Sequence, residues 1–168
     1  MFVNQQRLLD AAPIIDMLDS KEIYNGMSYG LSELGYDIRI KQSVHFKMTP
    51  SGPVTIVNDV RTGNTLMEGR FALASAIEEF DMPADLAGQV FDKSSWARHG
   101  LSLFNTVIEP GWKGFLTLEL VFQGNKDIYI PAGSPIAQVV FSPVANPIEY
   151  RGKYQNQGDN PVAAIYER

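Results

Sequence analysis

The chain contains no cysteine. Disulfides and thiolate metal sites are therefore excluded. Histidine is nearly as scarce: the 2 present, His45 and His99, are too few for a three-histidine zinc site. There is no excess of positive charge. Lys and Arg number 14 against 19 Asp and Glu, for a net charge of −5, so no broad basic field attracts nucleic acid. A small basic pocket for an anionic metabolite needs only a few cations and stays open. No apolar run approaches the roughly 20 residues that span a bilayer. The opening MFVNQQRLLD lacks the charged-then-apolar layout of a secretory signal. A cytoplasmic protein with no membrane and no nucleic-acid partner is expected. Fixed-period repeats, low-complexity linkers, phosphate-binding glycine fingerprints and a Ser/His/Asp arrangement are all missing.

What is present is a chain of 168 residues, 45% hydrophobic and 20% charged. That suffices for one domain, 1–168, with its own core. Short β-like runs cover 36–40, 44–48, 54–57, 71–74, 103–108, 115–120, 127–130 and 136–141. Turn chemistry separates them at 49–53, 109–114, 123–126 and 131–133. Many short strands at such spacing predict an all-β sandwich or barrel with a few short helices. Residues 4–19 predict a short helix before Pro13 and another after it. Residues 58–70 read as loop, and 78–87 as a turn with at most one helical turn. The 123–126 turn predicts a hairpin whose returning strand is 127–130. From Ser142 the composition shifts to Pro, Asn, Gln and Gly, predicting a tail ordered by contacts with something else.

Candidate chemistry concentrates between Gly88 and Phe122. Apolar runs at 90–91 and 115–120 read as buried strands. In the second, the period of two puts Phe115, Thr117 and Glu119 on one face and Leu116, Leu118 and Leu120 on the other. The leucines go to the core. Glu119 then faces solvent, a subunit contact or a cavity, and periodicity does not choose. In a cavity, desolvation would raise its pKa and make it a proton shuttle near neutral pH. Lys93, Ser94, Ser95 and Arg98 offer cations, hydroxyls and backbone N–H groups at a predicted helix start, a combination suited to phosphate. Read blandly, Ser-Ser there is a helix cap. Lys153, Arg151 and Gln157 add donors in the tail. His45 reads as structural and His99 as exposed; Trp96 and Trp112 read as packing residues.

Several segments, in order, resemble the dCTP deaminase branch of the dUTPase-like superfamily. They are SYGLSELGYDIRI (28–40), FALASAIEEFDMPADLAGQVFDKSSWARHGL (71–101), IEPGWKGFLTLEL (108–120), PAGSPIAQVVF (131–141) and YRGKYQNQ (150–157). The resemblance implies a distorted, jelly-roll-like β-barrel that forms a homotrimer with active sites between subunits. It implies hydrolytic deamination of dCTP to dUTP and ammonia, without zinc; a His/Cys/Cys zinc deaminase is excluded by inventory. Magnesium is expected on the triphosphate and not on the protein, and dTTP as a feedback inhibitor. The implied catalytic residues are Glu119, Ser94 and Arg98. Phosphate and substrate contacts fall on Lys93, Ser94, Ser95, Arg98, Gln138, Tyr150, Lys153 and Gln157. The tail, 142–168, is expected to close over the nucleotide. Positions around the base and water fall on Asn105, Thr106 and Glu109. Here Asn105-Thr106-Val107 replaces an Ala-His-Arg run of some relatives, Glu109 stands for a common Asp, and the tail between Tyr150 and Lys153 is short. Two other readings remain open: a bifunctional enzyme carrying dCTP to dUMP and pyrophosphate, and an inactive nucleotide-binding regulator.

Overall fold

A computed structural model describes residues 1–166. The N-terminal apolar cluster folds as helix α1 (Gln6–Ala11), which buries Leu8. The second helix expected after Pro13 does not form. That stretch is captured by the edge of a strand: the Ile15 N–H donates to Glu79 O at 2.8 Å, and the Asp81 N–H to Pro13 O at 2.9 Å. Next come β1 (Lys21–Tyr24) and β2 (Met27–Leu31), joined by Asn25 and Gly26, both with positive φ. Asn-Gly is the pair that a two-residue hairpin turn favours, and this hairpin was not anticipated.

The remaining elements are β3 (Gly35–Arg39), β4 (Ser43–Thr49), β5 (Gly52–Asp59), β6 (Gly63–Glu68), β7 (Phe71–Asp81), β8 (Leu86–Asp92), α2 (Ser94–Ala97), β9 (Leu101–Leu103), β10 (Val107–Ile108), β11 (Lys113–Phe122), β12 (Ile128–Ile130) and β13 (Pro135–Pro143). They form three antiparallel sheets, ordered β1-β2-β3-β13-β8-β10, β7-β11-β9 and β12-β4-β5-β6. The core lies between the sheets. Ile38, Ile40, Val44, Leu118, Leu120, Ile130, Val139 and Phe141 are fully buried there, at alternate positions of their strands where the pleat requires it. Truncating one of the buried leucines to Ala would cost about 2–5 kcal/mol.

Five further expectations change. Residues 58–70 include β6, an edge strand exposed along most of its length, Leu66 included. The strand β7 runs on to Asp81, where a turn was expected. Residues 127–130 do not return along β11, because β7 and β9 already occupy both its edges; β12 pairs with β4. Residues 103–108 are not one strand but break between β9 and β10. At 90–91, Val90 is half-buried and Phe91 is exposed, so that run is not a buried one.

Candidate active site

Glu119 sits on β11, the middle strand of its sheet. The alternation expected along this strand fails at one point. Phe115 pairs with Glu79 of β7 but Thr117 pairs with Ser75, so the register slips between them. Leu116 is therefore only half-buried, packing against the edge of the core. It lines a cavity together with Thr117 and Glu119, whereas Leu118 and Leu120 stay in the core. The cavity measures about 550 Å³, within the range of small-molecule sites. Phe71, Leu73 and Val90 give it apolar walls. Burial raises the Glu119 carboxyl above its ordinary value of 4.5. Among the described residues, no donor is bonded to that carboxylate to offset the effect.

The Glu119 main chain is held on both sides. Its carbonyl accepts the Phe104 N–H at 2.9 Å. Its N–H donates to Asn105 Oδ1 at 2.9 Å, while Asn105 Nδ2 donates to Thr117 O at 2.7 Å. Asn105 thus continues, by side chain, the ladder that the β9 backbone abandons. Its amide, expected near water or base, is engaged by the main chain and acts on the carboxylate through the strand. Thr106 lies on the cavity wall, its carbonyl accepting the Val90 N–H at 3.2 Å. Glu109 is exposed and shares the same cavity.

The tail folds back on its own chain. The Tyr150 N–H donates to Pro110 O, Asn156 N–H to Lys113 O, and Phe115 N–H to Gln157 O. The side chain of Gln157 donates to Thr117 Oγ1. Tyr150 and Gln157 line the Glu119 cavity, and so do Tyr154 and Trp112, which the sequence reading did not select. Trp112 packs on Phe80 as expected, but its indole N–H also holds Tyr154 O at 2.6 Å. The Lys153 side chain is exposed, its ammonium 5.5 Å from the Tyr154 ring.

The remaining predicted residues lie elsewhere. Lys93, Ser94 and Gln138 line a separate, mostly polar cavity of about 220 Å³ with Lys21, Ser28, Ser32, Glu33, Asp37 and Asp92. No residue lines both cavities. Gln138 reaches it from β13, which pairs with β3 and β8, and donates to Ser32 Oγ at 3.0 Å. Lys93 is buried; its ammonium lies 2.5 Å from Asp37 Oδ2 and 3.0 Å from Ser28 Oγ. The positive charge of Lys93 is thus matched before any anion arrives. Asp37 Oδ1 is buried with no partner among the described residues. The serines do not cap α2: Lys93 occupies the N-cap position, and no side chain bonds there. Ser95 and Arg98 are exposed, and Arg98 makes no ion pair among the described residues. No cluster of three or more His, Asp or Glu side chains is placed to hold a metal ion among the described residues.

Residues 8–144 match the model of the family described as dCTP deaminase-like. The chain belongs to this dCTP deaminase-like family. A dCTP deaminase of Acidobacterium capsulatum is 32% identical over 161 residues, covering 86% of this chain and 87% of that protein. In shape, the chain is similar to EIAV dUTPase, with a TM-score of 0.51 at 16% identity over 86% of this chain and 95% of the other. It is also similar to the 2'-deoxycytidine 5'-triphosphate deaminase from Agrobacterium tumefaciens, with a TM-score of 0.51 at 17% identity over 80% of this chain and 44% of the other. At such identities the two structures speak for the fold alone. The dCTP deaminase-like match ends before Tyr150, Lys153 and Gln157, so these tail positions rest on their own geometry.

Proposed function

We propose that this enzyme deaminates dCTP hydrolytically to dUTP and ammonia, with Glu119 carrying the protons. The observation behind this reading is one desolvated carboxylate, of raised pKa, in a largely apolar cavity of nucleobase-accommodating size. Cytosine C4 is a poor electrophile until N3 gains a proton. Glu119 takes a proton from water and passes it to N3. The water oxygen then bonds to C4; Glu119 moves the remaining proton of the new C4 hydroxyl to the exocyclic amine, the C4–N bond breaks and ammonia leaves the C4 carbonyl of dUTP. Such general acid–base work is worth ~10²–10⁴-fold. A raised pKa suits it, since the same group must both accept and donate near neutral pH. Thr106 and Glu109 edge the space for the base.

The second half of the site sits around α2. We place Ser94 and Arg98 against the reacting base and the phosphates, with Ser95 and Gln138 beside them. In one chain Ser94 and Gln138 line a different cavity from Glu119, and Ser95 and Arg98 lie exposed outside both. Both halves meet if copies associate so that α2 of one faces the Glu119 cavity of the next, as in a trimer with shared sites. The exposed Phe91, Phe104 and Val107 give that contact apolar surface. Lys153 and Gln157 of the docked tail would complete the grip on the triphosphate. Lys93 is the least available cation, because Asp37 holds it. Magnesium is proposed to travel with the triphosphate and neutralise part of its charge; the protein groups hold the remaining oxygens and fix the base against Glu119.

Incubation with dCTP and magnesium, followed by product separation, tests the reading. Equal amounts of dUTP and ammonia are expected. Release of pyrophosphate with dUMP would instead mark a bifunctional enzyme, and dCTP binding without ammonia would mark a regulator.

A further inference from the structure

Asp159 lies just past the tail residues discussed so far, and no part of the mechanism uses it. Its carboxylate is held by Lys41 and by Arg61, whose Nη1 is 3.1 Å from Asp159 Oδ2. Its carbonyl accepts Lys41 Nζ at 3.0 Å and Ser75 Oγ at 3.1 Å. Arg61 Nη2 also donates to Asn160 Oδ1 at 2.8 Å. The receiving groups are themselves fixed. The Arg61 N–H donates to Asp59 Oδ1 at 2.8 Å, and buried Gln42 bridges Asp59 Oδ2 and Ser75 Oγ. A tail residue is thus docked onto a preformed polar network at the junction of β5 and β7.

What lies on either side of this dock gives it a purpose. Before it, Gln157 pairs with Gly114 and reaches Thr117 Oγ1. After it, the Val162 N–H donates to the same Thr117 Oγ1 at 2.9 Å. Thr117 stands across from Ser75 on β7 and two positions before Glu119. Asp159 is therefore the fixed point of a tail loop whose two arms meet beside the candidate catalytic carboxylate. Neither arm carries an ion pair of its own among the described residues, so the dock supplies the charge that holds the loop.

We propose that Asp159, clamped by Lys41 and Arg61, is a positioning residue that sets the tail loop of Gln157 and Val162 against the Glu119 cavity. The role rests on reading that cavity as the dCTP site. In a tail already docked, Gln157 needs no further ordering when the nucleotide binds, so the latch acts on affinity more than on the chemical step.

The test compares Asp159→Asn with Asp159→Glu in the full-length protein, by amide hydrogen exchange without ligand and by steady-state kinetics. For Asp159→Asn, exchange at Asn156 and Val162 should rise about tenfold, and KM for dCTP should rise roughly three- to tenfold with kcat within about twofold. Asp159→Glu keeps the charge and should restore both. Arg61→Gln, on the exposed side of the clamp, should act in the same direction. Unchanged exchange in Asp159→Asn would overturn the latch itself. Faster exchange with an unchanged KM, or a fall in kcat alone, would overturn its positioning role. A wild-type protein that never turns over dCTP would remove the function and the positioning role together, while the exchange data would still judge the latch.

Discussion

Glu119 shows how little of an ionisable side chain's behaviour resides in its own chemistry. The walls of Phe71, Leu73 and Leu116 withdraw water, and no donor among the described residues replaces it. The charged form is penalised and the pKa rises from 4.5. Two outcomes follow for Glu119→Gln. Turnover should fall by ~10²–10⁴ with dCTP binding retained, as measured by kcat against calorimetric affinity. Because the folded-state pKa is raised, the wild type holds its full stability contribution below the unfolded value and loses it as pH rises through the folded value. The glutamine variant does not titrate, so its Tm should exceed that of the wild type in mildly alkaline buffer and not in acid. In kcat/KM profiles of the wild type, the acid limb should lie above 4.5. Asn105 is the matching case of a neutral residue. Its amide satisfies Thr117 O and Glu119 N–H. Asn105→Ala leaves both unpaired at a part-buried site, and urea denaturation should register a loss of about 1–2 kcal/mol, with kcat reduced as Glu119 loses its anchor.

At the scale of elements, β11 does three things at once. Its middle residues enter the core, its register slip turns Leu116 toward the cavity, and its start receives the tail. Gly114 makes the third possible. A Cβ there would stand 2.4 Å from Gln157 O and 2.6 Å from Gln157 N, and its φ of +131° is one that side chains rarely adopt. Gly114→Ala should push the tail off β11. Proteolysis after Lys153 should accelerate and KM for dCTP should rise, while far-UV circular dichroism stays that of the wild type. A variant as protease-resistant as the wild type would show that the tail does not depend on this contact. The helix α2 is the contrasting element: four residues long, without a side-chain cap, it keeps Ser95 and Arg98 on the surface, where another chain can reach them.

At the scale of the whole molecule, the two cavities of one chain give the mechanism only if copies share sites. Glu119→Gln and Arg98→Ala should each be inactive alone. Co-expressed in equal amounts, they should recover activity, because in random mixed oligomers roughly a quarter of the interfaces join an intact Glu119 to an intact Arg98. Zero recovery in oligomers shown by light scattering to be mixed would place both halves of each site in one chain.

The sequence on its own determined the kind of fold, and it singled out Glu119, Tyr150 and Gln157, which one cavity brings together. Short apolar runs between turn residues specify strands wherever one face must be buried, and 36–40, 115–120 and 136–141 each became the strand expected. Missing cysteine excludes thiolate metal ligands, and two histidines are too few for a three-histidine site in one chain. Tertiary structure decided which edges pair and which cavity each residue enters. Local pattern placed 127–130 beside β11, but both edges of β11 were filled and the segment went to β4. The face of Leu116, the neutralisation of Lys93 by Asp37 and the separation of Ser94 from Glu119 depend on partners distant in the chain. Side-chain periodicity is a property of neighbours in sequence, whereas desolvation and charge pairing are properties of neighbours in space.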